Sequence, residues 1–335
     1  MFNNKVLFIT GGTGSFGNKF IEMVNTRYNP KEIIVFSRDE MKQWEMKDRM
    51  TFSNVRFIIG DVRDRERLLE VTRNVDYLIH AAATKIVPIA EINPEECIKT
   101  NVNGALNVIS AVKKNGIKNV VALSTDKASN PINLYGASKL ASDKLFIAAN
   151  QDDTSPIKSI FSVVRYGNVM GSRGSVIPFF LNKRKSGKLP ITDERMTRFM
   201  ISLEDAVNLV FHAFEDMVGG ELYVKKIPSM NIIDIAHAIS KDCVHEIIGI
   251  RDGEKLHEQM ISEDDAPYTY EYNDYYKILP SINNWHKDSK RVKSGKKVSI
   301  DFTYSSFNNT EWMTVDQLSK WIEKNKKEFL KVGSN

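Results

Sequence analysis

A tyrosine and a lysine near the middle of the chain have the spacing of a proton-transfer pair. Tyr135 and Lys139 are four residues apart, so on a helix their side chains lie on one face. A lysine ammonium beside a phenol favours the phenolate and lowers the tyrosine pKa from its usual value of about 10. We therefore expect a base for a hydroxyl proton, with Thr125, ten residues before the tyrosine, hydrogen-bonding the same substrate oxygen. This spacing occurs by chance in many helices, so the assignment depends on its surroundings.

A glycine-rich loop lies between the first apolar run and a helix-like segment. Residues 10–17 read Thr-Gly-Gly-Thr-Gly-Ser-Phe-Gly. The glycines allow a tight turn and a close approach of the backbone to a pyrophosphate, and a helix N-terminus supplies unpaired N–H groups for the anion. A purely structural turn is the alternative, but the strand before and the helix after it favour dinucleotide binding. The cofactor-binding residues predicted here are Gly11, Thr13, Gly14, Ser15, Phe16 and Gly17.

The end of the second predicted strand bears on the choice between NAD and NADP, because it lies beside the adenosine ribose. Ser37 and Arg38 stand where a ribose-binding carboxylate is otherwise expected, and a hydroxyl with a guanidinium suits a 2′-phosphate. NADP is therefore predicted, with Asp39 keeping NAD as the alternative. Further residues predicted at the cofactor are Glu40, Asp61, Val62, Ala81, Ala82 and Ala83, with Tyr135 and Lys139.

The elements that position these residues follow a regular pattern. Short β-branched runs alternate with helix-length segments, which is typical of a parallel sheet with crossover helices on both faces. Strands are predicted over residues 6–10, 32–36, 55–59, 77–80, 120–124 and 159–165. The carboxyl ends of such strands meet at one edge, where ligands bind. We predict an α/β fold, a Rossmann-type doubly wound parallel sheet with a smaller α/β substrate-binding lobe.

The alternation loosens after about residue 170, where glycines and prolines separate shorter elements. We predict an NADP-binding Rossmann domain that includes the catalytic segment over residues 1–170. A second, mainly substrate-binding lobe is predicted over residues 171–335, interleaved with the first domain.

Composition excludes several other classes. The 335 residues are 42% hydrophobic and 27% charged, which is enough for a sizeable core and excludes general disorder. No stretch approaches the roughly 20 apolar residues that span a bilayer, and the first residues lack a signal-peptide hydrophobic region, so we expect a soluble, cytoplasmic protein. The two cysteines are far apart and lack zinc-site spacing, so neither a disulfide scaffold nor a metal site is predicted.

The net charge of +5 comes from one segment. Residues 287–297 hold six basic residues and one acidic residue, which accounts for the whole excess. A nucleic-acid or membrane patch is one interpretation. We favour a solvated surface loop, because no aromatic or helical pattern is interleaved with the charges, and we predict no nucleic-acid or membrane partner.

The glycine loop together with Thr125, Tyr135 and Lys139 resembles the extended short-chain dehydrogenase/reductase family. Within that family the chain is similar to inverting sugar-nucleotide dehydratases over nearly its whole length. The matching segments are residues 11–17, 36–40, 60–64, 124–127, 130–136, 165–178, 190–193, 227–230, 248–251, 253–258 and 304–306. The resemblance implies UDP-N-acetylglucosamine as substrate, NADP as cofactor and the first step of pseudaminic acid biosynthesis. It also implies a homo-oligomer, with helices over 94–113 and 135–150 pairing across a two-fold axis.

Asp126 and Lys127 point to dehydration, because an alcohol dehydrogenase or a 4-epimerase has no task for them. Once hydride leaves carbon 4 for NADP, the new ketone acidifies the hydrogen on carbon 5. A base must remove that proton, and an acid must protonate the departing carbon 6 hydroxyl. We assign Lys127 as the base and Asp126 as the acid, as the resemblance also implies. Retaining dehydratases typically carry Asp-Glu here, so Asp-Lys indicates inversion, and hydride return to carbon 6 gives UDP-2-acetamido-2,6-dideoxy-β-L-arabino-hex-4-ulose.

The resemblance implies the substrate contacts as well. Lys85 follows the fourth predicted strand, and Arg251 suits a diphosphate because the guanidinium fork matches phosphate oxygens. Without the resemblance, these polar residues are interpreted as surface or structural. The predicted set is Lys85, Asn168, Ser172, Arg173, Val176, Thr192, Arg251 and Glu254.

Two other functions compete with dehydration. A UDP-hexose epimerase would give no dehydrated keto sugar, and a non-catalytic dinucleotide-sensing protein would use the same sheet. The intact set of Tyr135, Lys139, Asp126 and Lys127 argues against the sensor, which has no reason to keep all four.

Overall fold

The computed structural model describes residues 1–151 and 158–332, with side chains described as far as residue 325. Residues 333–335, the end of the predicted second lobe, lie outside the described residues. The strands are β1 Val6–Thr10, β2 Glu32–Ser37, β3 Val55–Ile59, β4 Tyr77–His80, β5 Asn119–Leu123, β6 Ile160–Arg165, β7 Asn168–Val169, β8 Lys188–Ile191, β9 Thr197–Ile201, β10 Leu222–Lys225, β11 Ser229–Asn231, β12 Val244–Ile247, β13 Gln259–Ile261, β14 Thr269–Glu271, β15 Tyr275–Ile278, β16 Lys296–Lys297 and β17 Tyr304–Ser305.

The α-helices lie between these strands. They are α1 Ser15–Arg27, α2 Glu40–Arg49, α3 Arg65–Val71, α4 Val87–Ile92, α5 Pro94–Ile98, α6 Gly104–Asn115, α7 Leu134–Ala148, α8 Val176–Lys183, α9 Leu203–Asp216, α10 Ile232–Ile239, α11 Ser289–Val292 and α12 Val315–Val332. A π-helical segment, Lys99–Asn103, joins α5 to α6. Short 3₁₀ turns cover Asp126–Ala128, Ala149–Gln151, Arg184–Ser186, Ala266–Tyr268 and Ile282–Lys287.

A ten-stranded sheet forms the centre of the molecule, in the order β16-β14-β15-β10-β6-β5-β4-β1-β2-β3. The strands from β3 to β10 are parallel, and β15, β14 and β16 add an antiparallel edge. Strands such as β1 are buried on both faces, so they are continuous apolar runs. Helices α1 and α9 pack together, and α6 packs against both α3 and α7. The predicted Rossmann-type doubly wound fold is confirmed.

A second apolar core lies outside this sheet. Helix α10 packs against α8 and α12, and buried residues such as Leu189, Ile191, Met200 and Ile235 fill the space. Two small sheets, β11-β9-β7 and β12-β8, border it. Because β10 and β15 follow residue 170 and still belong to the large sheet, the chain crosses between the two cores more than once. The domain limits stay a prediction.

The segment predicted as one long helix over 94–113 differs in the structure. It is interrupted by the π-helical turn, where the Asn101 amide donates to Thr84 O (3.0 Å) and to Ser138 Oγ (2.9 Å), while its Oδ1 accepts from Thr84 N (2.8 Å). These bonds tie the loop after β4 to α7. In the part of the chain that the structure describes, no helix has the length and apolar character to cross a membrane.

Candidate active site

Helix α7 carries Tyr135 and Lys139 and is fixed at its start by two contacts. The Asn133 side chain caps the helix by accepting from the N–H of Gly136 (2.7 Å), and its amide donates to Gly253 O (2.7 Å). Gly136 allows the helix to touch the turn after β5, since a Cβ there would lie 2.1 Å from Lys127 O. The tyrosine helix and the Lys127 turn are therefore packed backbone to backbone.

The turn itself presents an acid and an amine. Thr125 caps it and donates its hydroxyl to Asp126 Oδ1 (2.8 Å). Asp126 is 1% exposed, and its Oδ2 has no hydrogen-bond partner among the described residues. Burial raises the pKa of Asp126, partly offset by the nearby Lys127 ammonium. A raised pKa suits a carboxyl group that must deliver a proton, as the predicted acid does.

Lys127 lies between the carboxyl groups of Asp126 and Glu258. Its Nζ lies 3.2 Å from Asp126 Oδ1 and 3.0 Å from Glu258 Oε1. Burial by itself lowers the pKa of Lys127, but the Asp126 and Glu258 carboxylates outweigh burial and raise it. Lys127 is therefore an ammonium at neutral pH in the free protein. Glu258 is a site residue that sequence reasoning missed, and its only signal was its place in the matched segment 253–258.

The environment of Tyr135 corrects one expectation. Burial raises the pKa of Tyr135 to about 12, while Lys127 and a hydrogen bond with Thr125 work against burial. The predicted lowering of the Tyr135 pKa by Lys139 is wrong, because burial dominates and the opposing charge comes from Lys127. Tyr135 therefore holds its proton in the free protein.

Lys139 lies next to a buried network of charged and polar side chains. Burial lowers the pKa of Lys139, and Asp143, one helical turn further on, opposes this. Asp143 Oδ2 accepts from Ser124 Oγ (2.6 Å) and from Arg165 Nη2 (3.4 Å). Asp143 is thus a positioning residue that the sequence did not reveal, because its role depends on partners from β5 and β6.

The glycine loop fits a dinucleotide pyrophosphate. Gly11 has φ +65°, and a Cβ there would lie 2.9 Å from the Ala82 backbone. Gly14 precedes α1 and makes no side-chain cap bond, so no side chain blocks the first N–H groups of the helix. A Cβ on Gly17 would lie 2.1 Å from Gly12 O, which explains the third glycine. Thr13, Ser15 and Phe16 lie in the same turn.

The carboxyl ends of β2 and β3 lie side by side, where the adenosine of a dinucleotide is expected to bind. The Arg38 guanidinium is 58% exposed and lies 3.6 Å from Asp61 Oδ2. Asp39 caps α2 by accepting from Lys42 N (3.0 Å). Ser37 is buried, and its Oγ accepts from Gln43 Nε2 (3.1 Å). Four other predicted cofactor residues follow strand ends: Glu40, Val62, Ala81 and Ala82, with Ala83 next in the chain.

The predicted substrate residues fall into two groups. The first group contacts the glycine-rich loop. Lys85 Nζ donates to Arg173 O (3.1 Å), and Arg173 N donates to Ser15 Oγ (3.3 Å) in that loop. Burial lowers the pKa of Lys85, and the positive charge of Lys127 lowers it further. Lys85 therefore lies near the Asp126–Ala128 turn, which we call the catalytic turn. Ser172, in the same loop, is buried.

The second group lies on the other lobe. Glu254 Oε1 lies 3.3 Å from Nη2 of Arg198, whose Nε is 3.9 Å from Glu258 Oε1. Thr192 Oγ1 donates to Met196 Sδ (2.9 Å), and Arg251 O accepts from Glu254 N (3.1 Å). The contacts do not join Asn168, Val176 or the Arg251 side chain to the catalytic turn, so their roles stay predictions. The side chains described to residue 325 include no group of three or more His, Cys, Asp or Glu that could hold a metal.

A parallel sheet with a glycine loop and a Tyr–Lys helix at one edge defines an extended short-chain dehydrogenase/reductase protein. The chain matches the family described as polysaccharide biosynthesis protein over residues 7–280, and it belongs to that family. The predicted family resemblance is confirmed.

Individual relatives agree with this assignment. A Campylobacter jejuni (strain 81-176) protein named UDP-N-acetylglucosamine 4,6-dehydratase (inverting) is 55% identical, covering 95% of this chain and 97% of the relative. A Rickettsia canadensis protein named UDP-glucose 4-epimerase is 44% identical over 96% of both chains. The crystal structure of Pen from Bacillus thuringiensis is 32% identical, with a TM-score of 0.89, covering 97% of this chain and 99% of that one.

Proposed function

We propose that this protein is a UDP-N-acetylglucosamine 4,6-dehydratase that inverts carbon 5. The observation that carries the proposal is the pair of buried Asp126 and half-buried Lys127, held against Tyr135 by the close contact at Gly136. Oxidation of an alcohol needs one base, and this site offers a second acid and a second amine. The 55% identity to a Campylobacter jejuni protein of that name supports the same activity.

The cofactor we propose is NADP. Asp39 is engaged in capping α2, whereas Arg38 directly follows β2 with an exposed guanidinium that is accessible to a 2′-phosphate at this strand end. The glycine loop and the N-terminus of α1 would hold the pyrophosphate. Lys139, on the same helix as Tyr135, would contact the cofactor next to that tyrosine. A bound nicotinamide supplies a hydride acceptor for carbon 4 and a hydride donor for carbon 6.

The chain's own residues then handle the protons. Tyr135 takes the carbon 4 hydroxyl proton as a phenolate, after its own proton has passed to solvent, while Thr125 holds the same oxygen in place. Lys127 removes the proton from carbon 5 after losing its own. Asp126 protonates the carbon 6 hydroxyl as it leaves, and its buried, unpartnered Oδ2 is the atom free for that transfer.

Epimerisation is the second candidate, because the Rickettsia canadensis relative carries that name. An epimerase works at carbon 4 and requires neither a base for carbon 5 nor an acid for carbon 6. A group buried as deeply as Asp126 destabilises the fold when it is charged, and an epimerase would gain nothing in return. This favours dehydration.

Product mass tests the proposal. Purified protein incubated with UDP-N-acetylglucosamine should give a sugar nucleotide lighter by one water, detected by mass spectrometry. Lys127→Ala should reduce the rate by about 10²–10⁴-fold, the usual contribution of a general base, with cofactor affinity unchanged. Lys114→Ala, on an exposed helical position, is the matched control. An epimeric product of unchanged mass would overturn the proposal in favour of epimerisation.

We further propose that the product is the L-arabino 4-keto-6-deoxy sugar nucleotide, used at the start of pseudaminic acid biosynthesis in the cytoplasm. A homo-oligomer is also proposed, because α4 to α6 expose Ile92, Ile98 and Leu106, with 74% of Ile92 open. Light scattering coupled to size-exclusion chromatography tests the oligomer, and a monomer at micromolar concentration would contradict it.

A further inference from the structure

The proposed reaction leaves the proton of Lys127 without a destination. A base must be neutral when it acts, yet Lys127 is an ammonium, with its Nζ 3.2 Å from Asp126 Oδ1 and 3.0 Å from the Glu258 carboxylate. Asp126 acts as the acid only while it carries its own proton, as its raised pKa favours, so in that role it does not accept the proton of Lys127. Another acceptor within hydrogen-bond reach of Lys127 Nζ is therefore required.

Glu258 meets this requirement by its geometry. Its Oε1 lies 3.0 Å from Lys127 Nζ, closer than the 3.2 Å to Asp126. Glu258 is 2% exposed. Burial by itself raises the pKa of Glu258, but the Lys127 and Arg198 charges outweigh burial and lower it, so Glu258 is a carboxylate that can accept a proton. Its backbone is fixed, because Glu258 N donates to Ser306 Oγ (2.9 Å) and its carbonyl accepts from Ser306 N (2.8 Å).

The other oxygen of the carboxylate strengthens the case. Oε2 of Glu258 is buried and has no hydrogen-bond partner among the described residues. A buried carboxylate that exists only for stability normally has both oxygens satisfied. An unsatisfied buried oxygen therefore needs an explanation, and a change of protonation state during catalysis provides one.

We propose that Glu258 is a positioning residue that takes the proton of Lys127 and so turns the ammonium into the base for carbon 5. This inference rests on the proposed dehydratase function. The N–H bond of Lys127 breaks and an O–H bond forms on Glu258, which leaves both groups neutral. Lys127 then takes the carbon 5 proton, the C–H electron pair forms the double bond to carbon 6, and the carbon 6–oxygen bond breaks as Asp126 supplies the proton that completes water.

Substrate binding favours this transfer. A sugar covering the catalytic turn removes water, and a neutral pair costs less to desolvate than an ion pair. The charged and titratable groups around Lys127 come from several elements: Asp126 and Tyr135, Arg198 on β9, Lys85 after β4, and Lys255 and Glu258 before β13. Of these, only Glu258 is both an anion and outside the predicted acid–base set.

The pH dependence of activity should differ between the wild type and Glu258→Gln. In the wild type, Lys127 and Glu258 together hold one transferable proton, and activity stays constant over the pH range in which they hold it. In Glu258→Gln the amide cannot accept a proton, and Lys127 must lose its proton to solvent. Activity of this variant should therefore rise with pH by about tenfold per pH unit below the Lys127 pKa.

Stepwise kinetics test the inference. In deuterated buffer with UDP-N-acetylglucosamine, Glu258→Gln should still form reduced nicotinamide, seen by absorbance. Incorporation of deuterium at carbon 5 should fall by about 100-fold near neutral pH and recover at high pH, as expected for loss of a proton-transfer partner. Lys127→Ala should lose incorporation without recovery. Glu263→Gln, an exposed glutamate five residues on, is the matched control and should behave as the wild type.

The outcomes separate the two claims. Wild-type incorporation by Glu258→Gln, or a loss that is equal at every pH and extends to nicotinamide reduction, would overturn the role of Glu258 while the dehydratase stands. Absence of carbon 5 deuterium in the wild type would instead overturn the proposed function. If Glu258→Gln does not fold, Glu258→Asp replaces it: retention of the flat wild-type pH profile supports the inference, and a profile that rises with pH contradicts it.

Discussion

Gly136 offers a direct test of how the site is held together. A Cβ at this position would lie 2.1 Å from Lys127 O and 3.0 Å from the Lys127 carbonyl carbon. Ordinary contact begins at 3.4 Å, so Gly136→Ala must separate the tyrosine helix from the Lys127 turn by roughly 1.3 Å, which is the difference between these distances. Both atoms are backbone, so no side chain can move aside. A displacement of about 1 Å at a catalytic group reduces turnover by about 100-fold.

Stability measurements separate this effect from helix propensity. Alanine favours a helix over glycine by about 1 kcal/mol, which opposes the overpacking cost of about 1–3 kcal/mol. Ala137→Gly, at the exposed neighbouring position, reverses the propensity change without touching the turn. We expect Ala137→Gly to lose about 1 kcal/mol in urea denaturation and to keep its turnover. Gly136→Ala with wild-type turnover would refute the idea that backbone contact sets the Tyr135–Lys127 geometry.

Three further changes test other parts of the site and fold. Gly17→Ala should weaken dinucleotide binding at least about tenfold in a fluorescence titration, because its Cβ would overlap a backbone oxygen of the same loop; unchanged affinity would show that the loop adapts. Asp143→Asn removes the charge that opposes burial at Lys139, so the pKa of Lys139 falls further and the ammonium is lost at lower pH; the basic limb of the pH–rate profile should move to lower pH, and a stationary limb would contradict this. Arg291→Ala should lower the free energy of unfolding, measured in urea, by about 2 kcal/mol. The guanidinium donates to Gly219 O (2.8 Å) and lies over the Trp285 ring (4.3 Å), and both contacts would be lost. An unchanged free energy of unfolding would mean that these contacts are not stabilising.

The first six strands were predictable from their short, β-branched apolar runs, and all except the edge strand β3 are buried on both faces. The observed limits match the predictions within one residue at each end. Helix α1 begins at Ser15, inside the glycine-rich loop 10–17, because the last residues of that loop already form the first turn of the helix. The break at Asn101 was not predictable, since it depends on bonds to the distant Thr84 and Ser138.

Local spacing revealed the pair of Tyr135 and Lys139 and the neighbouring Asp126 and Lys127, because those residues are close in sequence. Glu258 lies more than a hundred residues from Lys127, and no periodicity links them. Its charge partner becomes visible only when β13 packs beside the turn.

The basic segment 287–297 shows the limits of charge counting. We interpreted it as a solvated surface loop, but Arg291 is buried, and Lys293 pairs with Asp216 at the end of α9. Part of the local charge excess therefore neutralises a carboxylate that also binds Lys277 (2.6 Å). The sequence alone could not assign these partners, because they come from β15 and α9.

Deuterium at carbon 5 is the decisive measurement for this enzyme. The purified protein, incubated with UDP-N-acetylglucosamine in deuterated water, should release a 4-keto-6-deoxy sugar nucleotide with deuterium at carbon 5 and inverted configuration there, read by proton NMR coupling constants. A 4-keto-6-deoxy product without deuterium would contradict proton removal by Lys127. Absence of any 4-keto-6-deoxy product would contradict the dehydratase itself.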